Sequence, residues 1–190
     1  MSMKLRTKLM FAEELEKMLQ TIPMEKVRVT TLCKNCGTIP PTFYYHFHDK
    51  YELAAWIFLY DFTSVFGDRE PGFNVERIIL NLQRMNERRK FYQKTYTDNS
   101  QNAINHYIKS FNVKSAMDAI KYSSDNPITD EQMRQIKYHS YGMMGLFEEW
   151  LMEKDAITIQ ELAAFQFDHT PDFLREAYDK YPFQTSAFLE

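Results

Sequence analysis

Apolar residues recur along almost the whole chain at spacings of three and four, the signature of helices with one buried face. Residues 4 to 20 show it first: Leu5, Leu9, Ala12, Leu15, Met18 and Leu19 fall on one side, with Lys8, Glu13, Glu16 and Lys17 mostly on the other. Pro23 ends that pattern. Val29, Leu32, Cys33 and Cys36 then stand at i, i+3, i+4 and i+7, which predicts one short helix. Gly37 follows it and takes a left-handed conformation at little steric cost, so the chain can reverse there. Proline is excluded from a helix interior but suits its first position, so a second helix is predicted to begin near Pro41, just after Pro40. On that helix Phe43 and Phe47 share one face while Thr42, Tyr45 and His46 point elsewhere.

Residues 50 to 66 form an aromatic helix, with Tyr51, Trp56, Phe58, Tyr60, Phe62 and Phe66 spread around its circumference, as expected of a helix buried on more than one side. Gly67, Pro71 and Gly72 mark the loop after it. The helical pattern resumes over residues 74 to 96, where the basic run Arg88-Arg89-Lys90 reads as a solvated face, and again over residues 102 to 122 until Asp125-Asn126-Pro127. Thr129 with Gln132 has capping-box spacing and opens a long segment through Met133, Ile136, Ser140, Met144, Phe147 and Leu151. Gly142 and Gly145 inside it weaken the helix, which predicts a close approach by another helix. Thr158 starts a last amphipathic stretch, continued after Pro171 by Phe173, Leu174 and Tyr178. With only five glycines and little two-residue alternation, the fold class is all-α.

Two short helices joined at a glycine turn follow the helix-turn-helix plan, in which the second helix enters the major groove. The hydroxyl, imidazole and ammonium groups of Thr42, Tyr44, Tyr45, His46 and Lys50 suit phosphate oxygens and base edges. Pro40 and Pro41 offer apolar contact to thymine methyl groups, and Thr30 completes the DNA-binding candidates.

The run Thr42-Phe43-Tyr44-Tyr45-His46-Phe47, followed by Lys50 and Leu53 and preceded by Gly37, resembles the TetR family of one-component transcriptional regulators. The resemblance covers residues 5 to 55 and, in layout, the remainder. It implies that Tyr44, His46 and Lys50 lie against the DNA backbone, and that the helix beginning at Lys50 connects a C-terminal regulatory domain to the DNA-binding heads. The last two long helices would pair with those of a second copy as a four-helix dimer interface. Arg28 stands where the family usually has a capping Ser or Thr, Ile39 where it tends to have a hydroxyl, and Pro40 where it is often polar. Residues 141–151 and 159–163 also look like a Gram-positive branch that includes regulators of dihydroxyacetone kinase genes.

Charge supports this division. Residues 1–53 hold eight Lys/Arg against six Asp/Glu, whereas residues 54–190 hold fifteen against twenty, so the net −3 hides a positive N-terminal part. The expected domains are therefore a DNA-binding domain, 1–53, built as a three-helix helix-turn-helix, and a helical ligand-binding and dimerisation bundle, 54–190. Cys33-x-x-Cys36, with His46 and His48 beyond it, has the look of a metal or redox motif. Cys33 lies on the buried face, however, where free cysteine acts as a small hydrophobe, so no metal and no cofactor is expected. No apolar run approaches the roughly 18 to 20 residues of a membrane span and no signal-peptide core is present, which predicts a cytoplasmic protein without a membrane partner. There is no glycine-rich phosphate loop, nucleophile motif or His-Glu-x-x-His helix on which catalysis could rest.

The expected function is a homodimeric regulator on a double-stranded DNA operator, a repressor released by an unidentified small-molecule effector. Trp56, Tyr60, Tyr92, Tyr107, Phe111, Tyr138, His139 and Met143 supply aromatic surface with polar tips and are the candidates for lining its pocket. The alternative is a transcriptional coactivator whose C-terminal domain binds a protein partner instead.

Overall fold

The computed structural model describes residues 2–96, 104–153 and 157–189. Its helices are α1 (Met3–Leu19), α2 (Val29–Asn35), α3 (Pro40–Tyr44), α4 (Lys50–Phe66), α5 (Val75–Glu87), α6 (Arg89–Tyr96), α7 (Ile104–Ser123), α8 (Asp130–Met152), α9 (Ile159–Asp168), α10 (Asp172–Lys180) and α11 (Ser186–Leu189), with a 3-10 turn at Met24–Lys26. The chain is all-α, as expected from the periodicity. The expected start of α7 at residue 102 lies outside the described residues.

Compactness groups the chain into two units, Met1–Phe58 with Arg88–Tyr107, and Leu59–Glu87 with Ile108–Glu190. In the first, Phe11, Leu15, Leu19, Met24, Leu32, Phe43, Leu53 and Ile57 form a closely packed interior. Phe91, Tyr92 and Tyr96 of α6 are buried too, and α6 packs on α1. The basic run is therefore not simply a solvated face: Arg88 Nε pairs with Glu16 Oε1 at 3.0 Å, both side chains largely covered. Residues 74–96 also form two helices where one pattern is seen, with a break at Arg88 that no Gly or Pro marks.

In the second unit α5 packs along α9, and Ala116, Ala119, Ile120, Ile136, Leu174 and Ala177 tie α7, α8 and α10 into one core. Thr129 and Thr158 each accept the N–H of the third residue of the helix they cap, and Gln132 and Glu161 answer with bonds to the cap backbone. The end of α4 is closed differently. Phe183 sits against Phe62 and Phe66, with ring centroids at 5.1 and 6.0 Å. Asp68 N–H donates to the Phe183 carbonyl at 2.8 Å, and Thr185 N–H donates to Asp68 Oδ1 at 3.0 Å. The segment before α11 thus straps the turn at Gly67. Among the described residues no helix is long and apolar enough to cross a membrane.

Candidate DNA interface

The turn between α2 and α3 is built by local chemistry. Arg28, the cap residue of α2, makes no side-chain cap bond, since a guanidinium offers no acceptor. At the other end Gly37 has φ +63°. Thr38 N–H donates to the Cys33 carbonyl at 2.9 Å and Gly37 N–H to that of Lys34 at 3.1 Å, the paired bonds of a Schellman stop. Alpha3 then opens one residue earlier than expected, with Pro40 and Pro41 in its first two positions. Neither carries an N–H, and Thr42 N–H donates to the Ile39 carbonyl at 2.9 Å, so no side-chain cap is needed. The bond from Phe47 N–H to the Phe43 carbonyl, 3.0 Å, extends the turn beyond Tyr44.

Phe43 anchors this turn in the core. It is fully buried and meets Phe11 edge-on at 5.3 Å and Phe47 at 5.6 Å. Phe47 in turn meets Trp56 at 6.1 Å. With those rings turned inward, Tyr44 and Tyr45 are forced outward, 58% and 70% exposed. Thr30 and Pro41 are exposed beside them, and Pro40, Thr42 and His46 are half-buried. Ile39, 62% exposed at the cap of α3, belongs to this surface although it is not among the sequence candidates. Its position before two prolines, where no hydroxyl cap is required, is the signal that marks it.

Three charged or titratable groups behave in ways the pattern does not show. Lys8 is buried rather than solvent-facing, with its ammonium 5.8 Å from the Phe47 ring and 5.7 Å from the Trp56 ring. Burial, followed by the charges of Lys8 and Lys4, holds the His46 imidazole below its usual pKa. Lys50, half-buried, gives its ammonium to the carbonyls of Met24, Glu25 and Val27. The two thiols are free. Burial, and then Glu14, Cys33 and Glu13, push Cys36 up to about 11, and Cys33 is raised by burial as well, so both are held as thiols.

The effector candidates are distributed between the two units. Trp56, Tyr92 and Tyr107 fall in the first, and Tyr60, Phe111, Tyr138, His139 and Met143 in the second. Trp56, Tyr92 and Phe111 are buried, Tyr60, His139 and Met143 half-buried, and Tyr138 is 84% exposed on α8. His139 Nε2 stands 3.4 Å from Thr170 Oγ1, and burial lowers its pKa. A separate cleft of about 240 Å³ opens where α7 ends and α8 begins, beside Phe173, Glu176 and Lys180 of α10; none of the eight candidates lines it. Gly142 and Gly145 are exposed, and an added Cβ at either would meet nothing within 4 Å. Among the described residues nothing supplies the close approach expected there.

Residues 76–168 match the family model TetR_C_8, described as a transcriptional regulator C-terminal region. Among solved structures, the dihydroxyacetone kinase operon activator DhaS is similar, with a TM-score of 0.60 and 18% sequence identity over 93% of this chain and 98% of that one. No curated protein sequence matches significantly. Residues 76–168 thus form a transcriptional regulator C-terminal region of the TetR_C_8 type, behind the Phe43-centred turn, in a chain that shares the all-helical fold of that activator.

Proposed function

We propose that the protein is a homodimeric DNA-binding regulator in which residues 1–53 read an operator and residues 54–190 dimerise and sense an effector. The observation that carries the reading is the division of one short motif into two faces. Phe43 and Phe47 are buried, while Tyr44, Tyr45, Thr30 and Pro41 stand outward with Thr42 and His46 at their margin. Hydroxyl and imidazole groups on such a surface suit phosphates, and the apolar Pro40, Pro41 and Ile39 suit thymine methyls. Two heads entering successive major grooves would read half-sites roughly 34 Å apart, or a multiple of that.

The exposed glycines of α8 support dimerisation. Each costs its helix roughly 1 kcal/mol relative to alanine, and a Cβ added at either would meet nothing within 4 Å among the described residues. A second copy laid against Tyr141, Gly142, Gly145 and Phe165 of α9 would use the room they leave. Occupancy of a promoter by the dimer represses transcription, and a cytoplasmic small molecule that favours the DNA-incompetent conformation releases it. Tyr60, Phe111, His139 and Met143, covered or half-covered in the second unit, are the proposed effector contacts.

The test is binding of the purified protein to its own upstream DNA at two salt concentrations, beside a Tyr44→Phe, Tyr45→Phe variant that removes only two exposed hydroxyls. Tight, salt-sensitive binding weakened in the variant is expected. Equally weak binding of both proteins to every DNA would end the reading.

A further inference from the structure

The ammonium of Lys50, at the first position of α4, ends among three backbone carbonyls: Met24 at 2.7 Å, Glu25 at 3.0 Å and Val27 at 3.0 Å. An ammonium has three N–H donors and no acceptor, and these three carbonyls offer an acceptor to each of them. The carbonyls belong to the 3-10 turn Met24–Lys26 and the residue after it, which leads directly into Arg28, the cap of α2. That turn is itself seated, since Met24 and Val27 are 1% and 3% exposed. The base of the lysine is equally fixed. Asp49 Oδ1 accepts the N–H groups of Tyr51 and Glu52, each at 2.8 Å, and so pins the first turn of α4 on either side of it.

We infer that Lys50 is a positioning residue of the helix-turn-helix, a latch between the start of α4 and the entry to α2, and not one of the groups that grips a DNA phosphate. A lysine whose protons are spent on backbone carbonyls has none left for a phosphate, and withdrawing it would take a charge-assisted bond from each carbonyl, that of Met24 keeping a second bond, from the Val27 N–H. Displacement of the first turn of α4 is then transmitted through three charge-assisted bonds to the residues ahead of Arg28. The functional weight of the latch rests on the DNA-binding reading proposed above; its geometry does not.

Lys50→Met keeps the stem without donors, and Lys50→Arg keeps the charge in a planar fork that cannot converge on three acceptors around one point. Both variants are expected to lose operator affinity by roughly tenfold or more, with the wild-type slope of log K against log salt, and arginine is expected not to rescue. If arginine restores binding and methionine makes the slope shallower by about one unit, Lys50 is a phosphate contact and the inference is overturned. A measurement on the unsubstituted protein decides the matter even where the variants fail to fold. The Lys50 ammonium protons should exchange slowly by NMR in the free protein and keep their resonance when DNA is added. Fast exchange in the free protein, or a new coupling to DNA phosphorus, overturns the latch. Failure of the wild type to bind any DNA would sink the proposed function, and the free-protein exchange measurement would still judge the latch.

Discussion

Arg84 Nε lies 3.1 Å from Asp61 Oδ1, pairing a guanidinium of α5 with a carboxylate of α4 whose side chain is only 1% exposed. Its other arm reaches Glu87 at 2.7 Å, where the partner is 64% exposed. The two halves of this cation therefore face different dielectric surroundings. Removing Arg84 takes a cation away from a buried carboxylate, so Arg84→Met should destabilise by roughly 3 kcal/mol. Glu87→Ala, removing the wet partner, should cost under about 1 kcal/mol. Urea unfolding of both variants is the check, and equal costs would mean that the covered Asp61–Arg84 pair contributes no more than the exposed one.

Gly67 should tolerate no side chain. A Cβ there runs into Thr185 Oγ1 and comes within 2.7 Å of the Thr63 carbonyl, which as backbone cannot turn aside. Gly67→Ala should lower stability by roughly 1–3 kcal/mol, and a second change, Thr185→Ala, should recover only part of it. A neutral Gly67→Ala in thermal unfolding would show that the strap is not seated as described. Hydrogen bonds from the Thr185 backbone and then its side chain hold the Asp68 carboxyl below the usual range. Its contribution is present above the unfolded value of about 3.9 and is lost as pH falls through the lower folded value.

The proposed place of His46 at the DNA interface predicts a defined pH dependence for operator binding. Its folded pKa is lowered, so the unfolded chain takes the proton more readily, and stability declines as pH falls from about 6.5 through the folded value. A nearby phosphate acts in the opposite sense, favouring the imidazolium and drawing a proton in on binding. Affinity should rise as pH falls, by at most about one decade per unit between the free and bound pKa values. Operator titrations at several pH values with His46→Gln are the check; an unchanged profile in the variant removes His46 from the DNA contacts.

Alanine at Gly142 and Gly145 separates the two fates of the α8 surface. Among the described residues of one chain neither change clashes, so each should strengthen the helix, by up to about 1 kcal/mol. Against a close-packed second copy the same methyl groups overfill the seam, and dimer affinity should fall by roughly tenfold or more. Sedimentation equilibrium measures this directly. A double variant that is more stable and dimerises as before would place the seam elsewhere.

What the amino-acid sequence determined by itself is whatever rests on neighbours a few residues apart. The inward pair Phe43 and Phe47 follows from one helical turn. The reversal at Gly37 follows from the absence of a Cβ, and the opening of α3 from prolines that have no N–H to satisfy. The caps at Thr129 and Thr158 close within three residues. These local rules were enough to outline the helix-turn-helix and its exposed tyrosines.

Only the tertiary structure decided where the long charged side chains end. Lys50 finds carbonyls 23 to 26 residues back along the chain, Arg88 finds Glu16 across most of the first unit, and Lys8 turns inward over the rings of Phe47 and Trp56. Helical periodicity scores all three as polar and therefore outward, because it registers the side-chain class and not the flexible stem that lets an ammonium or guanidinium reach a distant acceptor. The break at Arg88 is equally invisible locally, since α5 and α6 belong to different compact units and no residue between them disfavours a helix. Their separation follows from which core each helix buries its face in, and that choice exists only once the rest of the chain has folded.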